Sequence, residues 1–102
     1  MARIQGLFEV DAINQSQLIK GAPGEVHSIS VSWKGATAGD DVCFLIDDTA
    51  DNGNPSNVAL RVVADAAAGN FVKAWPQGKA FQTGIFYKEG VVANVITELT
   101  AK

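Results

Sequence analysis

Residues 24–48, GEVHSISVSWKGATAGDDVCFLIDD, decide the fold class of this chain. In segment 26–34, serines alternate with apolar residues, which is the pattern of a strand with one buried face. Segment 42–46, VCFLI, is apolar at every position, as is typical of a strand buried on both faces. Small, turn-forming residues at 35–40 join the two segments. We therefore predict an antiparallel pair, closed by a tight surface loop, whose second strand lies deep in a sheet.

The rest of the chain carries similar short strand patterns. Alternating or short apolar runs predict strands at 7–13, 17–20, 58–64, 71–75, 80–87 and 91–99. Turn signals separate them, such as Pro76-Gln77-Gly78, which ends the run at 71–75. In the last strand, Val91, Ala93, Val95, Thr97 and Leu99 share one face. The sequence thus predicts an all-β protein, an antiparallel β-sandwich or small barrel of about 7–8 short strands.

Length and composition predict a single domain over residues 1–102. The chain is 47% hydrophobic and 19% charged, which fits a packed β-rich domain with small polar residues on its exposed faces. A core of this size does not need disulfides or metals. Residues 1–25 have weak strand patterns, so we expect an N-terminal arm or an edge strand there.

Charge and hydropathy exclude several classes of partner. The net charge is −3 and the eight basic residues form no run, so we expect no nucleic-acid partner. No segment approaches the roughly 18 apolar residues of a membrane span, and the N-terminus lacks the apolar core of a signal peptide. The single cysteine cannot form an internal disulfide. We expect a soluble protein made in a reducing cytoplasm.

The residues that most often carry catalysis favour structural roles here. His27, the one histidine, shares the alternation register of Ile29 and Val31 and would begin a core-facing row. Cys43 lies in an apolar run, where burial raises a thiol's pKa and makes it unreactive. Glycine-rich phosphate loops and paired carboxylates outside a loop are absent. We predict no enzyme activity, no catalytic or cofactor-binding residue and no cofactor.

The segment Asp47–Asn54 is rich in the oxygen ligands that Ca²⁺ requires. With Gly53 at the glycine position of an EF-hand loop, Asp48 and Asn52 fit ligand positions. Ala50 falls where an Asp or Asn is needed, and Ala59 falls where the closing Glu belongs. An ordinary loop of Asp, Asn and Gly explains the composition better. We predict no metal site.

Two features indicate a possible contact with another molecule. Phe86 and Tyr87 are neighbours that must point to opposite faces of one strand, and Trp75 lies at a strand end, so one of these rings is a candidate for stacking on a sugar or anchoring an interface. Edge-of-core packing is the alternative. The apolar runs 42–46 and 91–96 also need cover on their second face, from the N-terminal segment, a loop or another subunit.

Residues 32–53, SWKGATAGDDVCFLIDDTADNG, and 81–99, FQTGIFYKEGVVANVITEL, resemble small β-sandwich structural proteins of tailed bacteriophages. The likeness extends over residues 26–99. Three motifs carry it, a G-x-x-A-G-D-x-V loop, a strand ending in Asp before a Thr/Gly-containing loop, and an F-x-T-G-hydrophobic step. The matching residues are Gly35, Ala38, Gly39, Asp40 and Val42, then Asp47, Thr49 and Gly53, then Phe81, Thr83, Gly84 and Ile85.

The resemblance implies a virion component, either a capsid decoration or cement protein or an accessory of a head or tail fibre. It implies binding to the major capsid protein or other virion proteins, self-association, and location in the virion after synthesis in the host cytoplasm. Residues 1–25, outside the likeness, would be an arm that docks on a neighbouring subunit. The alternatives are a carbohydrate- or receptor-binding module using Trp75 or Tyr87, and a Ca²⁺-dependent adhesive domain.

Overall fold

A computed structural model describes residues 6–102 as two packed β-sheets. Sheet A has the strand order β1-β8-β3-β6, and sheet B has the order β2-β7-β4-β5. The predicted all-β class is confirmed, as an open antiparallel sandwich and not a closed barrel. Within these residues, no helix is long and apolar enough to cross a membrane. The strands are β1 (Phe8–Ile13), β2 (Gln17–Lys20), β3 (Gly24–Lys34), β4 (Asp41–Ile46), β5 (Val58–Val63), β6 (Gly69–Phe81), β7 (Ile85–Glu89) and β8 (Asn94–Ala101).

The strand pairs are nested along the chain. β4 pairs with β5, β3 with β6, β2 with β7 and β1 with β8, all antiparallel. This is the pairing of one long hairpin whose tip is the loop 47–57. The hairpin is wrapped so that its strands are shared between the two sheets, and β3–β8 and β4–β7 pairs complete each sheet. Eight strands arranged in this way form a jelly roll.

The N-terminal segment supplies edge strands. β1 lies at one edge of sheet A, and β2 lies at one edge of sheet B. The part of the predicted arm at residues 1–5 lies outside the described residues.

The predicted pairing of β3 with β4 is wrong. β3 belongs to sheet A and β4 to sheet B, so residues 35–40 form an arch between the sheets and not a hairpin turn. Gly35 and Gly39 have φ angles of 73° and 97°, which side chains disfavour. The Gly39 N–H donates to the Ala64 carbonyl, and the Ala64 N–H donates to the Asp40 carbonyl, both at 2.8 Å. The apolar patterns predicted burial correctly but carried no information on which strands pair.

The prediction that His27 begins the core-facing row is also wrong. A β-bulge between Val26 and Ser28 shifts the alternation by one residue, so Val26 is buried in the core. His27 stands beside Glu25, with 3.0 Å between its Nε2 and the Glu25 Oε1. A second register shift, between Asp41 and Cys43, leaves Val42 as an extra residue, and Val42 and Cys43 are both buried.

Three predicted strands differ from the structure. The segment predicted as one strand at 80–87 divides into the end of β6, a turn at 82–84 and the start of β7. β6 continues through Pro76 to Phe81 because it is an edge strand, where a residue without an N–H is tolerated. β8 begins only at Asn94, and Val91 is 74% exposed in the preceding loop. Val95, Thr97 and Leu99 are buried on one face, as predicted.

One polar pair bridges the two sheets inside the core. The Tyr87 hydroxyl of β7 lies 2.7 Å from the Thr97 Oγ1 of β8. Thr97 is the single fully buried polar side chain among the described residues. Burial raises the pKa of Tyr87, and it raises the pKa of the neighbouring Cys43 to about 11 even though hydrogen bonds with Tyr87 and Thr97 act in the opposite direction on the thiol. The thiol is therefore protonated and unreactive at neutral pH.

We expect Thr97→Val and Tyr87→Phe each to lower the free energy of unfolding by about 1–3 kcal/mol, because each leaves one buried hydroxyl without its partner. The double variant removes both hydroxyls, so its loss should be smaller than the sum of the single losses. Urea denaturation measures all three, with Thr100→Val, on the outer face of β8, as the control. Strictly additive losses would contradict a coupled pair.

Candidate functional site

Asp47 ties the tip of the long hairpin to the turn between β6 and β7. Its carboxylate accepts hydrogen bonds from the backbone N–H groups of Gln82 at 3.0 Å and Thr83 at 2.8 Å, with Gly84 at 3.5 Å. Partial burial alone would raise the pKa of this carboxyl. The three N–H groups and the charge of Lys79 outweigh that effect and hold the pKa below its usual range. Two of the motifs that resemble phage proteins thus contact each other, and the contact is structural.

The other two carboxylates of loop 47–57, Asp48 and Asp51, accept hydrogen bonds from the loop and from β7. Asp48 accepts from the side chains of Asn52 and Asn57, at 2.9 and 3.1 Å. Asp51 accepts from the Gly53 N–H and forms an ion pair with Lys88 at 2.9 Å, and both contacts hold its pKa below the usual range. Among residues 6–102, no three His, Cys, Asp or Glu side chains are grouped so as to hold a metal ion. These carboxylates act as turn acceptors and as an anchor to β7.

The loop covers only part of the outer face of sheet B. Strand registers place Leu18 opposite Phe86, Phe86 opposite Ile46, and Ile46 opposite Val58. Residues directly opposite on neighbouring strands share a face. These four side chains, which we call the apolar row, therefore cross all four strands of sheet B. Ile46 is buried, whereas Leu18 is 48% and Val58 37% exposed.

Charged groups flank the apolar row. Lys88, Phe44 and Arg61 form the next row on the same face. The Lys88 ammonium lies 5.3 Å from the centroid of the Phe44 ring. Arg61 forms an ion pair with Asp41 at 2.6 Å, as Lys88 does with Asp51. The outer face of sheet B therefore combines an apolar centre with a rim of internally paired charges.

The outer face of sheet A has a different character. Ser28, Ser30 and Ser32 run along its middle strand, β3, and are flanked by Val72 of β6 and Ile96 of β8. Val72 is 68% and Ile96 56% exposed. At one end of this face lies a cleft of about 410 Å³ between the end of β1, β3 and the start of β8. No local sequence pattern indicates this cleft, because its lining residues come from three segments distant along the chain.

The aromatic candidates are distributed unequally. Tyr87 is 1% exposed and its hydroxyl is taken by Thr97, so the prediction that it could stack on a sugar is wrong. Its neighbour Phe86 is the half-exposed member of the pair. Trp75 is half-buried against the core, with the Lys73 ammonium 6.0 Å from the centroid of its ring. No two of these rings form a platform.

The two apolar runs, 42–46 and 91–96, were predicted to need cover on their second face, and the structure covers only the first of them. On β4, the bulge places Val42 in the core, and loop 47–57 lies beside Phe44 and Ile46. In the segment 91–96, Val91 and Ile96 are left exposed, and neither the N-terminal strands nor a loop covers them.

Comparison with known proteins finds no matching family model, no matching curated protein and no matching solved structure. The resemblance to phage structural proteins therefore stays a prediction.

We expect Asp47→Ala to lower the free energy of unfolding at pH 7 by about 1 kcal/mol, discounted for the partial solvent access of the carboxylate. A depressed folded-state pKa means that the stabilisation is present above the unfolded value of about 3.9 and is lost as the pH falls through the folded value. The difference between Asp47→Ala and the unchanged protein should therefore shrink in acid. Urea denaturation at several pH values measures it.

The matched control is Asp65→Ala, which removes an exposed carboxylate of the loop between β5 and β6. It should change the free energy of unfolding little, both at pH 7 and in acid. A difference for Asp47→Ala that persists undiminished at pH 2 would show that the carboxylate charge is not what stabilises the turn.

Proposed function

We propose that this chain is a non-enzymatic structural protein of a tailed-phage virion, most simply a capsid decoration or cement protein. It would dock on the major capsid protein through the outer face of sheet B. The observation that carries the proposal is the apolar row. An outward sheet face in water normally presents polar side chains. The apolar row instead exposes Leu18 and Val58 at the two edges of the sheet, beside the partly buried Phe86 and the loop-covered Ile46, and exposed apolar surface of this kind is typical of an interaction site.

The composition of the face supports docking on a protein. Phe86 and Phe44 supply aromatic surface at its centre, and aromatic residues are enriched at the centres of interfaces. Arg61 and Lys88 stand at its rim with their charges already paired by Asp41 and Asp51. A partner that covers this face would therefore bury ion pairs and not isolated charges, and it is the burial of an isolated charge that costs most.

The fold and the sequence resemblance are compatible with this role. Jelly rolls occur in viral capsid domains and in lectins, so the fold is compatible with a virion protein and with a sugar-binding protein and does not distinguish them. The motif residues Asp47, Thr83 and Gly84 build a turn contact, and they support a shared fold more than a shared partner. The role accordingly rests on the surface of sheet B.

The two alternatives receive less support at the residues that suggested them. A glycan platform built on Tyr87 would need a side chain that is buried, and Trp75 stands alone. A Ca²⁺-dependent adhesive domain would need oxygens in loop 47–57 that already accept hydrogen bonds within the loop. Neither alternative is favoured by a specific contact.

The test is binding of the purified chain to heads of the encoding phage that were assembled without it. We expect saturable binding at a fixed ratio to the major capsid protein. Leu18→Glu and Val58→Glu place a charge in the apolar row at exposed positions, and each should weaken binding by about tenfold or more. Light scattering on the free chain shows whether a second copy occupies the same face.

The control variant is Val72→Glu, which makes the same change at an exposed position on the opposite sheet. Circular dichroism melts confirm that all three variants fold. Absence of binding by the unchanged, monomeric chain would overturn the proposal. Loss of binding by Val72→Glu alone would move the docking surface to sheet A.

A further inference from the structure

The cleft on sheet A brings together polar side chains that the fold itself does not use. Asn14 follows β1, Ser32 and Lys34 lie on β3, and Asn94 begins β8. None of the four side chains makes a hydrogen bond or an ion pair within residues 6–102. In loop 47–57, by contrast, the asparagine side chains all form hydrogen bonds. The cleft therefore offers its polar groups to a ligand.

From this arrangement we propose that the cleft binds an acidic saccharide, a sugar unit that carries one carboxylate and several hydroxyls. Lys34 is the one cation that residues 6–102 contribute to the lining, so it supplies charge for one carboxylate. The carboxamides of Asn14 and Asn94 and the hydroxyl of Ser32 can each donate and accept. Groups that do both match sugar hydroxyls, which also do both.

The apolar part of the lining fits the same class of ligand. Ile96, which is 56% exposed, lies directly across from Ser32 on the neighbouring strand. Ala93 extends this patch at the start of β8. An aliphatic patch of this kind can pack against the C–H face of a sugar ring. The volume of about 410 Å³ falls in the range of small-ligand sites, about 300–1,000 Å³, and admits a monosaccharide or a short oligosaccharide end.

Glu98, the one acidic residue of the strand that borders Lys34, does not cancel this attraction. Glu98 lies opposite Ser30, whereas Lys34 lies opposite Asn94, four positions further along both strands. A rise of about 3.3 Å per residue separates these positions by roughly 13 Å. Exposed charges are largely screened beyond a Debye length of about 8 Å at physiological salt. The attraction of a bound carboxylate to Lys34 is therefore much stronger than its repulsion by Glu98.

The site goes beyond the proposed docking role and is compatible with it. The cleft is on sheet A, and the proposed docking face is the outer side of sheet B. A chain docked through sheet B would leave the cleft open to the surroundings. The two proposals can fail separately, because one is measured with phage heads and the other with free sugars.

The test uses NMR titration of the full chain with D-glucuronic acid, D-galacturonic acid and N-acetylneuraminic acid. Side-chain amide signals of Asn14 and Asn94 report directly on the cleft. We expect at least one of these acids to shift both signals saturably. Lys34→Met keeps the length of the side chain but removes its charge, and it should weaken that binding by about tenfold or more. Lys73→Met, outside the cleft on β6, should leave the binding unchanged.

Matched small molecules separate the saccharide from a simple anion. The methyl esters of the same acids are neutral and should bind at least about tenfold more weakly, because esterification removes the charge of the carboxylate. Acetate and inorganic phosphate carry the charge without the hydroxyls and should also bind more weakly. Equal affinity for acetate, an unchanged affinity in Lys34→Met, or no shift with any of the three acids would overturn the assignment.

Discussion

The fold depends on how its two sheets meet, and a single polar pair lies inside that contact. The hydrogen bond between Tyr87 and Thr97 joins β7 to β8 in a core that, apart from the Cys43 thiol beside this pair, is aliphatic and aromatic. An apolar core favours burial in general but tolerates small displacements of one sheet over the other, whereas a buried hydroxyl pair is satisfied in one alignment only. The pair therefore favours one alignment of the two sheets over neighbouring ones.

The two outer faces have different chemistry because the hairpin tip lies over only one of them. Loop 47–57 lies beside sheet B and is anchored there through Asp47 and Asp51. Its presence allows Phe44 and Ile46 to be apolar on the outward side of β4. No loop of residues 6–102 covers sheet A in this way, and its strand β3 presents serines on the outer face. The outer face of sheet B is therefore apolar along the row at Ile46, whereas the outer face of sheet A alternates serines with exposed apolar residues such as Val72 and Ile96.

The sequence predicted the fold class and most strand positions because alternation and turn residues are local signals. It failed where the structure depends on distant partners. The arch 35–40 looks like a hairpin loop because both connect strands with small residues, and only the pairing of β3 with β6 and β8 distinguishes them. The bulge at His27 could not be predicted either, because it is defined by the register of β3 against β6 and β8. The cleft at Lys34 combines three segments, so no local pattern could have indicated it, whereas the burial of Cys43 followed from its neighbours alone.

Nested pairing also dictates an order of assembly. The β4–β5 pair closes a loop of about ten residues, and each further pair outward closes a longer one, until β1–β8 joins the two ends of the described chain. The entropy lost in closing a loop grows with its length, so pairs nearer the tip form at lower cost. Folding should therefore proceed from the tip outward, as a zipper does. During synthesis, β7 and β8 leave the ribosome last, so β1 and β2 are made long before the strands that pair with them. Until then, the unpaired backbone groups of β1 and β2 are exposed to pairing with other chains.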